Sequence, residues 1–71
     1  MILIAGGTGT LGRRVVRLLT ARGLDVRILT RDPARAAHLM GEGIEIATGD
    51  VRDPGSAARA MVGVQAVISA I

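Results

Sequence analysis

The sequence predicts a doubly wound α/β fold on a parallel sheet, and three observations predict it. Short runs rich in Ile, Val and Leu recur along the chain with helix-period segments between them, the pattern of successive β-α-β units. A glycine cluster, Gly6-Gly7-Thr8-Gly9-Thr10-Leu11-Gly12, stands directly between the first run and the first helical segment. The chain has 71 residues, about half of an ordinary domain, so it holds one domain at most and reads as a piece of a longer one.

Each element follows in order. Ile2 to Ala5 is too short for a helix and ends at glycine, so it reads as a buried strand. Leu11 to Arg22 has helical periodicity: Leu11, Val15, Leu18 and Leu19 share one arc, expected to be the apolar face, while Arg13, Arg14 and Arg17 share the opposite one. Gly23 supplies the left-handed residue that ends the helix. Val26 to Thr30 is the second strand, and Asp32-Pro33 caps a second helix running to Met40. Ile44 to Ala47 sets Glu45 between two isoleucines, which suits an edge strand with one wet side. Asp53-Pro54 repeats the cap for a third helix, Pro54 to about Val62, closed by Gly63. Val64 to Ile71 reads as a nearly unbroken apolar strand.

Right-handed crossovers place these strands in the order 3-2-1-4, a Rossmann-like half-sheet, with the first two helices on one face and the third on the other. Strand 4 then has a free apolar edge, through which the isolated segment is expected to self-associate.

Composition removes several function classes. With 49% apolar residues the chain is not a disordered tail, and without cysteine it has neither disulfides nor a thiolate metal site. Its only histidine, His38, lies opposite Ala36 and Met40 on the second helix, expected exposed and without a catalytic partner. Nine arginines against six acids give a charge of +3, but the arginines are scattered and no aromatic residue is present to stack on bases, which argues against nucleic acid as a partner. No apolar run reaches the roughly 18 residues of a membrane span, and no secretory signal opens the chain, so a cytoplasmic location is expected. Met40 and Met61 are expected to fill core space.

The glycine cluster contains Gly7-x-Gly9-x-x-Gly12 in the strand-turn-helix setting that a dinucleotide fingerprint requires. One glycine turns the chain off the strand, Gly9 lets backbone approach a pyrophosphate, and Gly12 lets the helix pack closely on the sheet. The free N–H groups and positive dipole end of the helix then face the diphosphate. A ligand-free glycine turn is the bland alternative. A nucleotide-hydrolysing P-loop is the sharper one, but Arg13-Arg14 stands where that motif needs Lys and then Ser or Thr. For the adenosine ribose, an NAD site wants an acid near the end of strand 2, whereas Arg31 stands there and suits the 2′-phosphate of NADP. Arg31 as one more solvated arginine, with Asp32 turned toward NAD instead, is the competing arrangement. Arg13 could assist at the phosphates.

The glycine cluster, Thr30-Arg31, Gly49-Asp50-Val51-Arg52-Asp53 and Gly63 to Ile71 together resemble the atypical short-chain dehydrogenase/reductases, closest to their NmrA-like and isoflavone-reductase-like branch. The resemblance implies that positions 1–71 are the N-terminal part of an NAD(P)-binding domain. It further implies that Gly7, Thr8, Gly9, Thr10, Leu11 and Gly12 hold the pyrophosphate, that Asp50 and the Val51 backbone recognise the adenine edge, and that Ser69, Ala70 and Ile71 border the nicotinamide ribose. Asp53 is better read as a helix cap. Catalysis in that family relies on groups later in the chain, often Tyr or Lys, and neither residue type occurs here. Two functions remain open: the cofactor-binding half of an NADPH-dependent reductase acting on a small molecule, and a non-catalytic NmrA-like sensor that binds dinucleotide and acts through a protein partner.

Overall fold

The computed structural model describes residues 1–6, 9–34, 36 and 44–69. Its elements are β1 (Ile2–Ala5), α1 (Thr10–Ala21), β2 (Val26–Thr30), β3 (Glu45–Thr48), α2 (Pro54–Ala60) and β4 (Ala66–Ser69). The strands form one parallel sheet in the order β3-β2-β1-β4, the predicted doubly wound, Rossmann-like arrangement. The first two strands match their predicted bounds, and the helices and other strands shift by up to two residues at their ends. Positions 33, 34 and 36 are helical, Ala36 is fully buried, and the Ala36 N–H donates to the Asp32 carbonyl at 3.2 Å, as a helix beginning at Asp32-Pro33 requires. The rest of the predicted second helix, with His38 and Met40, lies outside the described residues.

Two apolar layers sandwich the sheet. On one face Ile4, Val26 and Ile28 meet Val16 of α1, with Val15, Leu19, Ile44 and Ile68 around them; on the other, Leu3 and Leu29 meet Ala60 of α2, with Ala47 and Val64. Alternation along each strand divides its side chains between the two layers. The stripe that α1 buries differs from the predicted arc: Gly12 and Val16 are buried and Val15 and Leu19 are half-buried, while Leu11 and Leu18 are 63% and 61% exposed. The apolar arc is wider than the strip that one sheet can cover. A shallow concavity is lined by Val15, Leu18, Leu19 and Arg22 of this helix and its C-terminal end. Strand β4 is the edge strand that the topology predicts, and its Ala66, Val67 and Ser69 are exposed. Met61, expected in the core, is 46% exposed at the C-terminal end of α2.

Arg27 ties three elements together. From β2 its Nη1 donates to the carbonyls of Ala60 and Val62, each at 2.6 Å, and its Nε pairs with Glu45 of β3 at 2.8 Å. The side chain is 13% exposed, and it meets the carbonyls that a helix end leaves without intrahelical donors, where the dipole is negative. At the other end of α2, Asp53 accepts from the Gly55 N–H at 3.1 Å and the Ser56 hydroxyl at 2.9 Å, which is the predicted cap.

Arg27→Leu should lower unfolding stability by about 1.5–3 kcal/mol, because it leaves carbonyls without a charged donor. Urea denaturation of wild type and variant measures this. The Ser56 hydroxyl and Gly55 N–H also hold the Asp53 carboxyl below its usual value. The lowered folded pKa means that its contribution is complete above about pH 4 and is lost as pH falls through the folded value. Asp53→Asn should therefore flatten the decline in stability between pH 5 and pH 2, as followed by circular dichroism.

Candidate functional site

A parallel sheet sends all its strands out at one edge, and here the predicted site residues gather at that edge. Ala5 of β1 is registered with Leu29 of β2 and Ser69 of β4, and Thr30 of β2 with Thr48 of β3. The segments that follow carry Gly6, Arg31, Gly49-Asp50-Val51 and position 70. The Gly49 N–H donates to the Thr30 carbonyl at 2.8 Å, which extends the β2-β3 ladder by one bond and holds the Arg31 and Asp50 turns side by side.

At the centre of the edge β1 ends in Gly6, whose φ of +80° is the left-handed conformation that favours glycine. The Gly9 N–H returns to the Gly6 carbonyl at 3.4 Å, and Gly9 is the N-cap of α1, accepting from the Arg13 N–H at 2.9 Å. No side chain caps this helix and no acid stands in its first turn, so its leading N–H groups and positive dipole end are left for an anion. Gly9 has an ordinary φ of −78°, and among the described residues a Cβ built on it would meet only the Gly6 carbonyl, at 3.9 Å. Neither backbone conformation nor packing among the described residues requires glycine at this position. Gly12, on the following turn, is buried. Gly7 and Thr8 lie outside the described residues.

The remaining predicted residues flank this centre. Thr10 and Leu11 begin α1 and are exposed. Arg31 is exposed beyond β2, and Val51 presents a 44% exposed apolar side chain beyond β3. Ser69 is exposed at the end of β4, while Ala70 and Ile71 lie outside the described residues. Asp50 carries a feature that the sequence reading missed: its carboxylate is held by Arg52 through the backbone N–H at 2.9 Å and the guanidinium at 2.7 Å. These bonds, aided by the charge of Arg31, lower the Asp50 pKa to about 2. The i, i+2 spacing of an Asx turn was the available signal. Gly49 also has a structural duty beside the site, since a Cβ there would lie 2.6 Å from Cβ of Ser56. No group of three or more His, Cys, Asp or Glu able to hold a metal occurs among the described residues, and no helix among them is long and apolar enough to cross a membrane.

The family model described as NAD(P)H-binding matches residues 6–71. The chain belongs to this NAD(P)H-binding family. That agrees with the resemblance to the short-chain dehydrogenase/reductases drawn from its motifs. Among curated proteins it is 46% identical over 67 residues to the NAD(P)H azoreductase of Xenophilus azovorans, an alignment covering 94% of this chain and 23% of the azoreductase. It is 40% identical over 67 residues to the photosystem II assembly factor Ycf39 of Cyanophora paradoxa, covering 94% of this chain and 21% of that protein. Among solved structures it superposes with a TM-score of 0.84 and 30% identity on the NADPH-dependent quinone oxidoreductase QOR2 of Escherichia coli in complex with NADPH, covering 97% of this chain and 25% of that one. The chain thus spans about a quarter or less of the length of these family members.

The two buried or ligand-facing roles of the glycines separate by experiment. Gly9→Val should abolish dinucleotide binding while leaving helical circular dichroism and the unfolding midpoint near wild type, since its side chain enters open space. Gly12→Val should lose stability as well, by about 1–3 kcal/mol, because it wedges α1 away from the sheet. Equal unfolding of both variants would remove the distinction.

Proposed function

We propose that this chain is the NADP-binding portion of an NADPH-dependent oxidoreductase acting on a small molecule. The observation that carries the reading is Gly9: a glycine with ordinary backbone and open Cβ space, at the uncapped N-terminus of α1. The pyrophosphate would lie against Gly7, Thr8, Gly9, Thr10, Leu11 and Gly12, held by backbone N–H groups rather than by side chains. The adenosine end would extend over β2 and β3, where Asp50 and the Val51 backbone meet the adenine edge and Arg31 meets the 2′-phosphate. Arg31 supports NADP over NAD because a guanidinium matches the charge and acceptor geometry of phosphate. The nicotinamide ribose would extend the other way, over β4, bordered by Ser69, Ala70 and Ile71.

When bound, NADPH supplies a hydride from its nicotinamide ring. The described residues bind and orient the cofactor, and the groups that act on the substrate belong to another part of the protein. NADPH in the quinone oxidoreductase complex and the NAD(P)H azoreductase support this reading. The likeness to a photosystem II assembly factor favours a second one, in which the same dinucleotide site serves a protein that acts through a protein partner. Turnover of NADPH with a quinone or azo acceptor by the full-length protein distinguishes the two.

NADPH should bind several-fold more tightly than NADH to the full-length protein, by about 1 kcal/mol, because exposure at the surface reduces a charge-assisted bond below its usual value. Raising the salt should shrink the preference by screening the phosphate pairing. Arg31→Asp should reverse it, by removing the phosphate partner and supplying an acceptor for the ribose hydroxyls. Calorimetric titration of both nucleotides measures the outcome, and equal affinities unchanged by the substitution would overturn the role given to Arg31.

A further inference from the structure

The turn after β3 contains a charge arrangement that neither the glycine loop nor Arg31 accounts for. Arg52 donates to Asp50 from its backbone N–H to Oδ1 at 2.9 Å, from Nε to Oδ1 and Oδ2 at 3.1 and 3.2 Å, and from Nη2 to Oδ2 at 2.7 Å. A carboxylate offers about four lone-pair positions, and a backbone donor together with a forked guanidinium takes most of them. The Arg52 side chain is 75% exposed and that of Asp50 is 28% exposed, so the guanidinium covers the carboxylate on its solvent side.

This arrangement has consequences for what the adenosine end accepts. An uncovered acid at the end of a strand beside the adenosine ribose favours NAD in two ways: it accepts hydrogen bonds from the ribose hydroxyls, and its charge repels a 2′-phosphate. Asp50 stands in the turn next to Arg31, held there by the bond from the Gly49 N–H to the Thr30 carbonyl. Engaged by Arg52, it keeps room for a single donor such as an adenine amino group, and too little for a pair of hydroxyls. Its charge is compensated chiefly by the Arg52 guanidinium, with the charge of Arg31 a smaller contribution, so most of Arg31 is left for another anion.

We infer that Arg52 is a specificity-determining residue of the adenosine end: by engaging Asp50 it masks the acid that would otherwise oppose a 2′-phosphate, which leaves Arg31 to meet that phosphate. The inference rests on the assignment of this edge as an NADP site. Arg52 acts through Asp50 and touches no part of the nucleotide.

The test is titration of NADP+ and NAD+ against the full-length protein, its Arg52→Gln variant and the Arg52→Gln/Asp50→Asn double variant, with circular dichroism to verify folding. Arg52→Gln should lower the ratio of NADP+ to NAD+ affinity about 2- to 5-fold, the scale of an exposed charge pair. Removing the uncovered charge in the double variant should return the ratio to the wild-type value. An unchanged ratio in Arg52→Gln overturns the inference. So does a lowered ratio that the double variant fails to restore, because Arg52 would then contact the phosphate directly. A wild-type protein that binds both nucleotides equally, yet shows the drop and its restoration, supports the masking while removing the NADP preference. Absence of binding by the wild type to either nucleotide overturns the site assignment and the inference with it.

Discussion

A parallel sheet delivers every strand to the same edge, and the rest of this molecule depends on that constraint. Because β1 lies between β2 and β4, the turn leaving β1 stands in the middle of the edge, with the turns of β2 and β3 on one side and the end of β4 on the other. The first connection from β1 runs toward β2, whereas β4 is reached only from β3 across the opposite face. The chain therefore leaves a gap between β1 and β4 that no crossover of its own covers, the kind of crevice in which doubly wound sheets bind ligands. Antiparallel pairing would have divided the same turns between two ends and dispersed the site.

Glycine serves this edge in chemically different ways. Gly6 takes a left-handed φ that turns the chain off β1, while Gly49 yields its Cβ volume to Ser56 of α2. Gly9 meets neither demand: its φ is ordinary and, among the described residues, a Cβ on it would meet only the Gly6 carbonyl. The three positions look alike as letters, and only the space around each backbone distinguishes them.

Arginine is equally divided. Arg27 is largely covered and joins the end of α2 to β2 and β3, Arg52 is spent on Asp50, and Arg31 extends into solvent beside them. Net charge conveys none of this. What decides each role is whether carbonyl or carboxylate oxygens lie within reach, since a guanidinium with several donors binds wherever acceptors converge.

Hydrophobic periodicity, capping residues and turn glycines determined the order of elements, the parallel sheet and the placement of the glycine loop at the head of α1, because these signals act between residues close in sequence. They also located the Asp53 cap and the Gly23 and Gly63 terminations, where both glycines take a φ of +76°. Tertiary structure decided what depends on distant partners. Leu11 and Leu18 are apolar yet exposed, because one face of a sheet covers only part of a wide apolar arc, and Met61 is exposed because the chain turns away at the end of α2. Arg27 acquired its role from carbonyls 33 and 35 residues away, a relation without periodicity or spacing. The same holds for the neighbouring Arg31 and Asp50 turns, which lie far apart in sequence and are brought side by side only by strand pairing.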